Sequence, residues 1–246
     1  MKKKLLVVFA GFLTAGVIGV SCFLFSGQYS AEASMTVTES DSNVEFHKEN
    51  GYYFFDSKNC SDTALIFYGG AKVEELAYSN LLNQIAESGT ADVFLVDTAV
   101  NIPVFGKNNA DTVMQKYGEQ YENFYFGGHS MGGSVTEMYV AEHLNEKIRG
   151  LIFLASYSTD IVPDSIENLL YVYGECDGIL NQDNLKQDLE QEQKAEKNVT
   201  VVEIKGGNHA GFGNYNIQKN DGKAEISSEQ QILQAVQEIS NFIKNN

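Results

Sequence analysis

Residues 124–133 read Phe-Tyr-Phe-Gly-Gly-His-Ser-Met-Gly-Gly, an aromatic run that stops at a serine with glycines two before and two after it. Gly128-x-Ser130-x-Gly132 between a strand pattern and a helix pattern is the spacing of a nucleophile elbow. A turn this tight leaves no room for side chains at the flanking positions. The serine is expected in a strained backbone conformation with its hydroxyl exposed. A serine hydroxyl is a poor nucleophile unless a base takes its proton and a third group orients that base. Downstream the chain offers both, Asp177 within Gly174-Glu175-Cys176-Asp177-Gly178 and His209 within Gly206-Gly207-Asn208-His209. Ser130, Asp177 and His209 thus follow one another in the order nucleophile, acid, base.

Other residues compete for these roles. Glu175 stands two residues before Asp177, and Asp160 and Asp164 follow the preceding strand pattern. Of the remaining histidines, His47 precedes the serine, His143 falls on the helix behind it, and His129 is expected to pack or hydrogen-bond beneath the elbow. Acyl chemistry also needs N–H donors for a developing oxyanion. One is the backbone of Met131. The second is expected from Tyr68-Gly69-Gly70-Ala71-Lys72, with Ala71 preferred and Gly70 next, because glycines let the backbone turn toward a site. Phe212 and Tyr215 after the histidine, with Ile102, Val104 and Phe105 from an earlier loop, are the candidates for a pocket wall. No Cys/His spacing suggests zinc, and no cofactor is expected.

These groups must be held by a scaffold, and the pattern supplies one. Val44 to Asp56 contains two apolar-rich runs around Asn50-Gly51, a hairpin signal. Strands and helices then alternate: strands at Ala64–Tyr68, Val93–Val96, Phe124–Gly127, Leu151–Ala155, Leu169–Tyr173 and Val199–Ile204, and helices at Val73–Ser88, 110–119, Met131–Lys147, 181–197 and Ser228–Asn245. The last helix has Ser228-x-x-Gln231 as its expected capping box. An antiparallel hairpin followed by such alternation predicts an α/β fold, a mostly parallel sheet with helices on both faces. Ser130, Asp177 and His209 each follow a strand, so all three should emerge at the carboxyl edge. The connection Ser156–Glu167 is too short for a helical lid, and an open site without a cap should favour short acyl chains.

Taken together, Tyr-Gly-Gly-Ala-Lys-Val, Gly-His-Ser-Met-Gly-Gly and Gly-Asn-His-Ala-Gly-Phe-Gly-Asn-Tyr resemble the α/β-hydrolase superfamily, in particular its small, lidless bacterial branch, over roughly residues 62–245. The resemblance implies a serine hydrolase with an ester-type, carboxylesterase-like activity and leaves the substrate open. One departure is Gly69, where many relatives carry His or Pro. The expectation is an exported enzyme that cleaves an acyl ester through an acyl-enzyme. The alternatives are a peptidase or thioesterase on the same triad, or a catalytically silent surface binding protein.

The amino terminus is organised differently. Lys2, Lys3 and Lys4 precede an apolar run from Leu5 to Phe25, long enough at helical rise to span about 30 Å. Residues 1–33 read as a signal peptide or an N-terminal membrane anchor, which would place the rest outside the cell membrane, secreted or anchored. Ala31-Glu32-Ala33 offers a cleavage signal before Ser34, and Cys22 a possible lipidation site. If uncleaved, this segment contacts the membrane. Residues 34–43 read as a flexible stalk and 44–246 as the hydrolase domain. Leaving out residues 1–33 removes three lysines and one glutamate from 17 basic and 33 acidic residues, for a net charge near −18. Such acidity disfavours nucleic acid, leaving a small-molecule or acylated substrate as the expected partner. Cys60 and Cys176 fall at opposite strand ends, so a disulfide between them is not expected.

Overall fold

The computed structural model describes residues 26–59 and 62–246; the apolar run with Cys22, and Cys60, lie outside them. The hairpin is formed by β1 (Val44–Glu49) and β2 (Tyr52–Ser57), paired antiparallel around Gly51, whose φ of 94° explains the glycine. There follow β3 (Thr63–Tyr68), α1 (Ser79–Glu87), β4 (Asp92–Val96), α2 (Ala110–Tyr117), β5 (Asn123–His129), α3 (Met131–Glu142), β6 (Ile148–Leu154), β7 (Asn168–Gly174), α4 (Gln182–Lys194), β8 (Asn198–Ile204) and α5 (Ser228–Asn245). The eight strands form one sheet in the order β1-β2-β4-β3-β5-β6-β7-β8. From β4 to β8 every pairing is parallel, while β2 runs antiparallel to β4.

Alternation along the strands divides the core. Leu65 and Phe67 of β3, with Leu81, Leu82 and Ile85 of α1 and Ile232, Val236, Ile239 and Phe242 of α5, form one apolar layer. Ala64 and Ile66, with Val113 of α2, Val135 and Tyr139 of α3 and Leu185 of α4, form the other. Central strands buried on both faces read as continuous apolar runs, as a parallel sheet between two helix layers requires.

Three local expectations are corrected. The helix over Val73–Ser88 is a 3-10 turn, Glu75–Tyr78, leading into α1; Glu75 is pulled inward to accept from the N–H and hydroxyl of Thr98. The last helix is capped one residue earlier, with Ser227 and Gln230 forming the box. The stalk, residues 34–43, is tied down. Val37 N–H donates to Ser79 Oγ, Ser40 Oγ accepts from Phe46 N–H, and the Asp41 carboxylate accepts from Asn43 and Val44.

Candidate active site

Ser130 sits between β5 and α3 with φ 54° and ψ −123°, a conformation non-glycine residues adopt only where the surroundings enforce it. The enforcement is steric. A Cβ on Gly128 would come 2.2 Å from the Gly132 carbonyl carbon, and one on Gly132 would come 2.2 Å from the Tyr68 carbonyl oxygen. The contact at Gly132 also brings the elbow against the loop after β3. Ser130 N–H donates to Leu154 O, and Ser156 Oγ donates to Ser130 O, so β6 and its following loop hold the turn.

His209 and Asp177 meet at the same edge. His209 Nδ1 lies 2.9 Å from Asp177 Oδ2, with the side chains 2% and 0% exposed. The other Asp177 oxygen accepts the N–H groups of Ile179 and Leu180, both at 2.8 Å. With Nδ1–H donated to the carboxylate, Nε2 keeps its lone pair; it is buried and has no hydrogen-bond partner among the described residues. Ser130 and His209 line one cavity of about 390 Å³. The rival acids are elsewhere. Glu175 accepts from Gly206 N–H and Lys205, which hold its pKa below the usual value. Asp160 accepts from Ile161 N–H, and Asp164 is exposed.

A residue that sequence reasoning missed ties acid and base together. Asp221 accepts from Gly178, His209 and Gly222 on one oxygen and from Ala210 on the other. Gln231 of α5 closes both backbone groups of Asn208, the residue before His209. Both act across loops of irregular length, where no spacing rule applies.

Beneath the elbow His129 is fully buried, as expected, and does more than pack. Its Nε2 lies 2.9 Å from His209 O and its Nδ1 2.8 Å from Tyr78 Oη. Tyr78 Oη in turn accepts from Gly70 N–H at 2.9 Å. Burial, and then the neighbouring His209, push the His129 pKa well below its ordinary value, so the ring is neutral. A carbonyl only accepts, so Nε2 carries the proton and Nδ1 receives the Tyr78 hydroxyl. A directed chain thus runs from Gly70 N–H through Tyr78 and His129 to the carbonyl of His209.

This chain removes Gly70, the second choice, from the oxyanion donors and leaves the preferred Ala71. Gly70 N–H is spent on Tyr78, and Lys72 N–H on Asn101 O. Ala71 N–H, between them, has no acceptor among the described residues. Met131 opens α3, so its N–H has no intrahelical acceptor.

The pocket wall is also corrected. Phe212 is wholly buried against His129, and Tyr215 packs on Tyr78 and Tyr29. Ile102 is buried, Phe105 is 59% exposed, and neither lines the cavity. Of the expected residues Val104 does line the cavity; its other walls are Met131, Val135 and Met138 along α3, Tyr157 after β6, and Ile179 and Leu180 beside Asp177. The helix behind the elbow presents one apolar side to this space, a signal present in the sequence at i, i+4 and i+7 spacing. The cavity is therefore walled along α3, a side for which the sequence suggested no lining residues. The connection from Ala155 to Glu167 contains no helix. A second cavity, about 410 Å³, lies by the far end of α3 with Asp111, Tyr139 and His143. His143 bonds Tyr139 O there and takes no part in the site. His47 is a half-buried β1 residue near Glu45.

A strained serine on a strand–helix turn, at the carboxyl edge of a sheet ordered 1-2-4-3-5-6-7-8 and beside a buried histidine–aspartate pair, defines a protein with a hydrolase architecture. The chain belongs to the α/β-hydrolase family, whose model matches residues 64–233. Among solved structures, a carboxyl esterase from the mycorrhizal fungus Tuber melanosporum aligns with a TM-score of 0.63 at 14% identity, covering 94% of this chain and 97% of that one. An esterase of Pyrobaculum calidifontis aligns at 0.62 and 12% identity, covering 84% and 86%. A predicted hydrolase of Thermoplasma acidophilum aligns at 0.52 and 17% identity, covering 81% and 98%. At these identities the likeness is one of fold. No curated protein sequence matches the chain.

Proposed function

We propose that the protein is an exported serine hydrolase that cleaves acyl esters. The observation that carries this reading is the shared cavity in which strained Ser130 and the unpartnered Nε2 of His209 both stand, with Nδ1 held by Asp177. As Ser130 Oγ attacks the ester carbonyl carbon, its proton passes to His209 Nε2, and Asp177 stabilises the imidazolium. The carbonyl oxygen takes the negative charge and is met by the N–H groups of Met131 and Ala71. Collapse breaks the ester bond, and the leaving alcohol takes the proton from His209. Water then attacks the acyl-enzyme as His209 takes one of its protons; the acyl–Oγ bond breaks, His209 returns that proton to Ser130 Oγ, and the acid departs.

The test is labelling by a fluorophosphonate, followed by hydrolysis of p-nitrophenyl esters beside amide and thioester analogues. Parent protein should label and cleave the esters fastest, and Ser130→Ala should do neither, losing on the order of 10⁴-fold or more in rate with its fold intact. Preference for the amide or thioester would make it a peptidase or thioesterase. Absence of labelling would leave a silent binding protein.

A further inference from the structure

The first described residues lie across the carboxyl edge, over the loops that form the site. Lys72 Nζ donates to Ser26 O. Gln28 exchanges hydrogen bonds with Val100 O and the Asn101 amide. Tyr29 pairs with Val73, receiving from Glu74 N–H and donating to Lys72 O. Ala31 pairs with Tyr215, and Glu32 N–H donates to Asn214 O. The segment thus bridges the loop carrying Ala71 to the loop that follows His209. The Ala31-Glu32-Ala33 cleavage signal falls inside it, so a cut after Ala33 would strip all these bonds from the site's own loops.

This placement constrains where the apolar run meets the body. Only Ser26 and Gly27 separate Phe25 from docked Gln28, and an extended chain covers at most about 3.6 Å per residue. The residues that join the run to the body are thus fixed at this edge, with Ser26 O on Lys72 Nζ and Gln28 on Asn101. The same edge carries exposed apolar side chains: Phe105 at 59%, Val104 at 46%, Met131 at 40%, Ile161 at 56% and Ile217 at 85%. They come from four separate segments that each follow the carboxyl end of a strand, and Val104 and Met131 among them line one cavity. Exposed apolar surface gathered in one place marks a contact face.

We propose that the N-terminal segment is retained, that the carboxyl edge rests on the surface of the bilayer holding Leu5–Phe25, and that the substrates are acyl esters carried in that surface. The substrate clause rests on the ester-hydrolase reading; the orientation does not. The anchor supplies the attachment, which an acidic body would not gain from charge. Val104 and Met131 belong both to this face and to the cavity wall, so an acyl chain leaving the bilayer reaches Ser130 without crossing open water.

The chain contains no tryptophan, which makes a direct test available. Full-length Phe105→Trp and, as reference, Leu233→Trp on exposed α5 are reconstituted in phosphatidylcholine vesicles. Phosphatidylcholine brominated on its acyl chains should quench Phe105→Trp at least threefold more than Leu233→Trp; equal quenching, or stronger quenching at Leu233, overturns the orientation. Hydrolysis of an ester embedded in the same vesicles is then compared with that of soluble p-nitrophenyl acetate. Phe105→Asp with Ile217→Asp should cut the embedded-ester rate tenfold or more and leave the soluble rate unchanged. Equal effects on both, or none, overturn the substrate clause. If the parent cleaves neither ester, the hydrolase reading fails, while the quenching result still decides the orientation.

Discussion

The hydroxyl of Tyr78 stands 2.8 Å from Nδ1 of His129, and the opposite ring nitrogen of His129 reaches the carbonyl of His209. One buried phenol thereby joins the loop after β3 to the proposed base. Tyr78→Phe removes the acceptor of Gly70 N–H and the donor to His129 together, leaving two buried groups unpaired at about 1–3 kcal/mol each. The expected result is a lower melting temperature and a kcat reduced about 10- to 100-fold, with KM within about twofold, since the cavity walls are untouched. Steady-state ester hydrolysis checks this; parent-like kcat in a destabilised variant would make the chain purely structural.

The carboxylate that orients His209 can be separated from its neighbour. Asp177→Asn should lower kcat by about 10³- to 10⁴-fold, because an amide can present its NH2 to Nδ1 and reverse the ring's tautomer. Glu175→Gln should change the rate less than about threefold, since its carboxylate is engaged with Gly206 and Lys205. Rates for the two variants on one soluble ester are enough. The opposite ranking would move the acid two residues upstream.

The walled cavity predicts a chain-length optimum rather than a preference for acetyl. Each buried methylene contributes about 0.8 kcal/mol, or about fourfold in kcat/KM, until the space along α3 is full. Beyond that, added carbons should bring no gain on soluble esters. Met138→Trp, at the far end of the wall, should move the optimum to a shorter chain. A profile unchanged by that substitution would mean that the acyl group lies elsewhere.

Stability should respond to pH through buried Asp188, which accepts from Ser158 N–H and is raised to about 6 by burial. Its neighbours Glu137 and Glu192 are carboxylates raised the same way, which adds to the cost of its charge. A folded pKa above the unfolded one means that the contribution is complete below about pH 4 and is lost as pH rises through about 6. Asp188→Asn should therefore gain stability relative to the parent between pH 4.5 and pH 8. Urea midpoints at the two pH values measure this, and an identical difference at both would refute it.

Much of the site was legible because the rules behind it are short-range. The glycines around Ser130 are required by contacts within a few residues and by the strand alongside, so their spacing announces the turn. Asp177 and His209 each follow a strand of a parallel sheet, which brings them to one edge however far apart they lie in the chain. Less was legible in the loops. Phe212 and Tyr215 read as a pocket wall because they are aromatic and near His209, yet burying them in the core layer beside α5 gains more than exposing them would. Gly70 read as a donor, but a tyrosine eight residues on had claimed its N–H.

The sequence by itself determined the sheet, the elbow and the order of the chemical groups, since each follows from periodicity, steric exclusion at glycine or the direction of a strand. Tertiary structure alone decided which donor remained unspent, which side chains walled the cavity, and where residues 26–37 lay. Those outcomes depend on contacts such as Gln28 with Asn101 and Lys219 with Tyr29, across 73 and 190 residues of chain. A hydrogen bond at that separation leaves no local pattern, because its geometry exists only after the sheet has brought the two loops together.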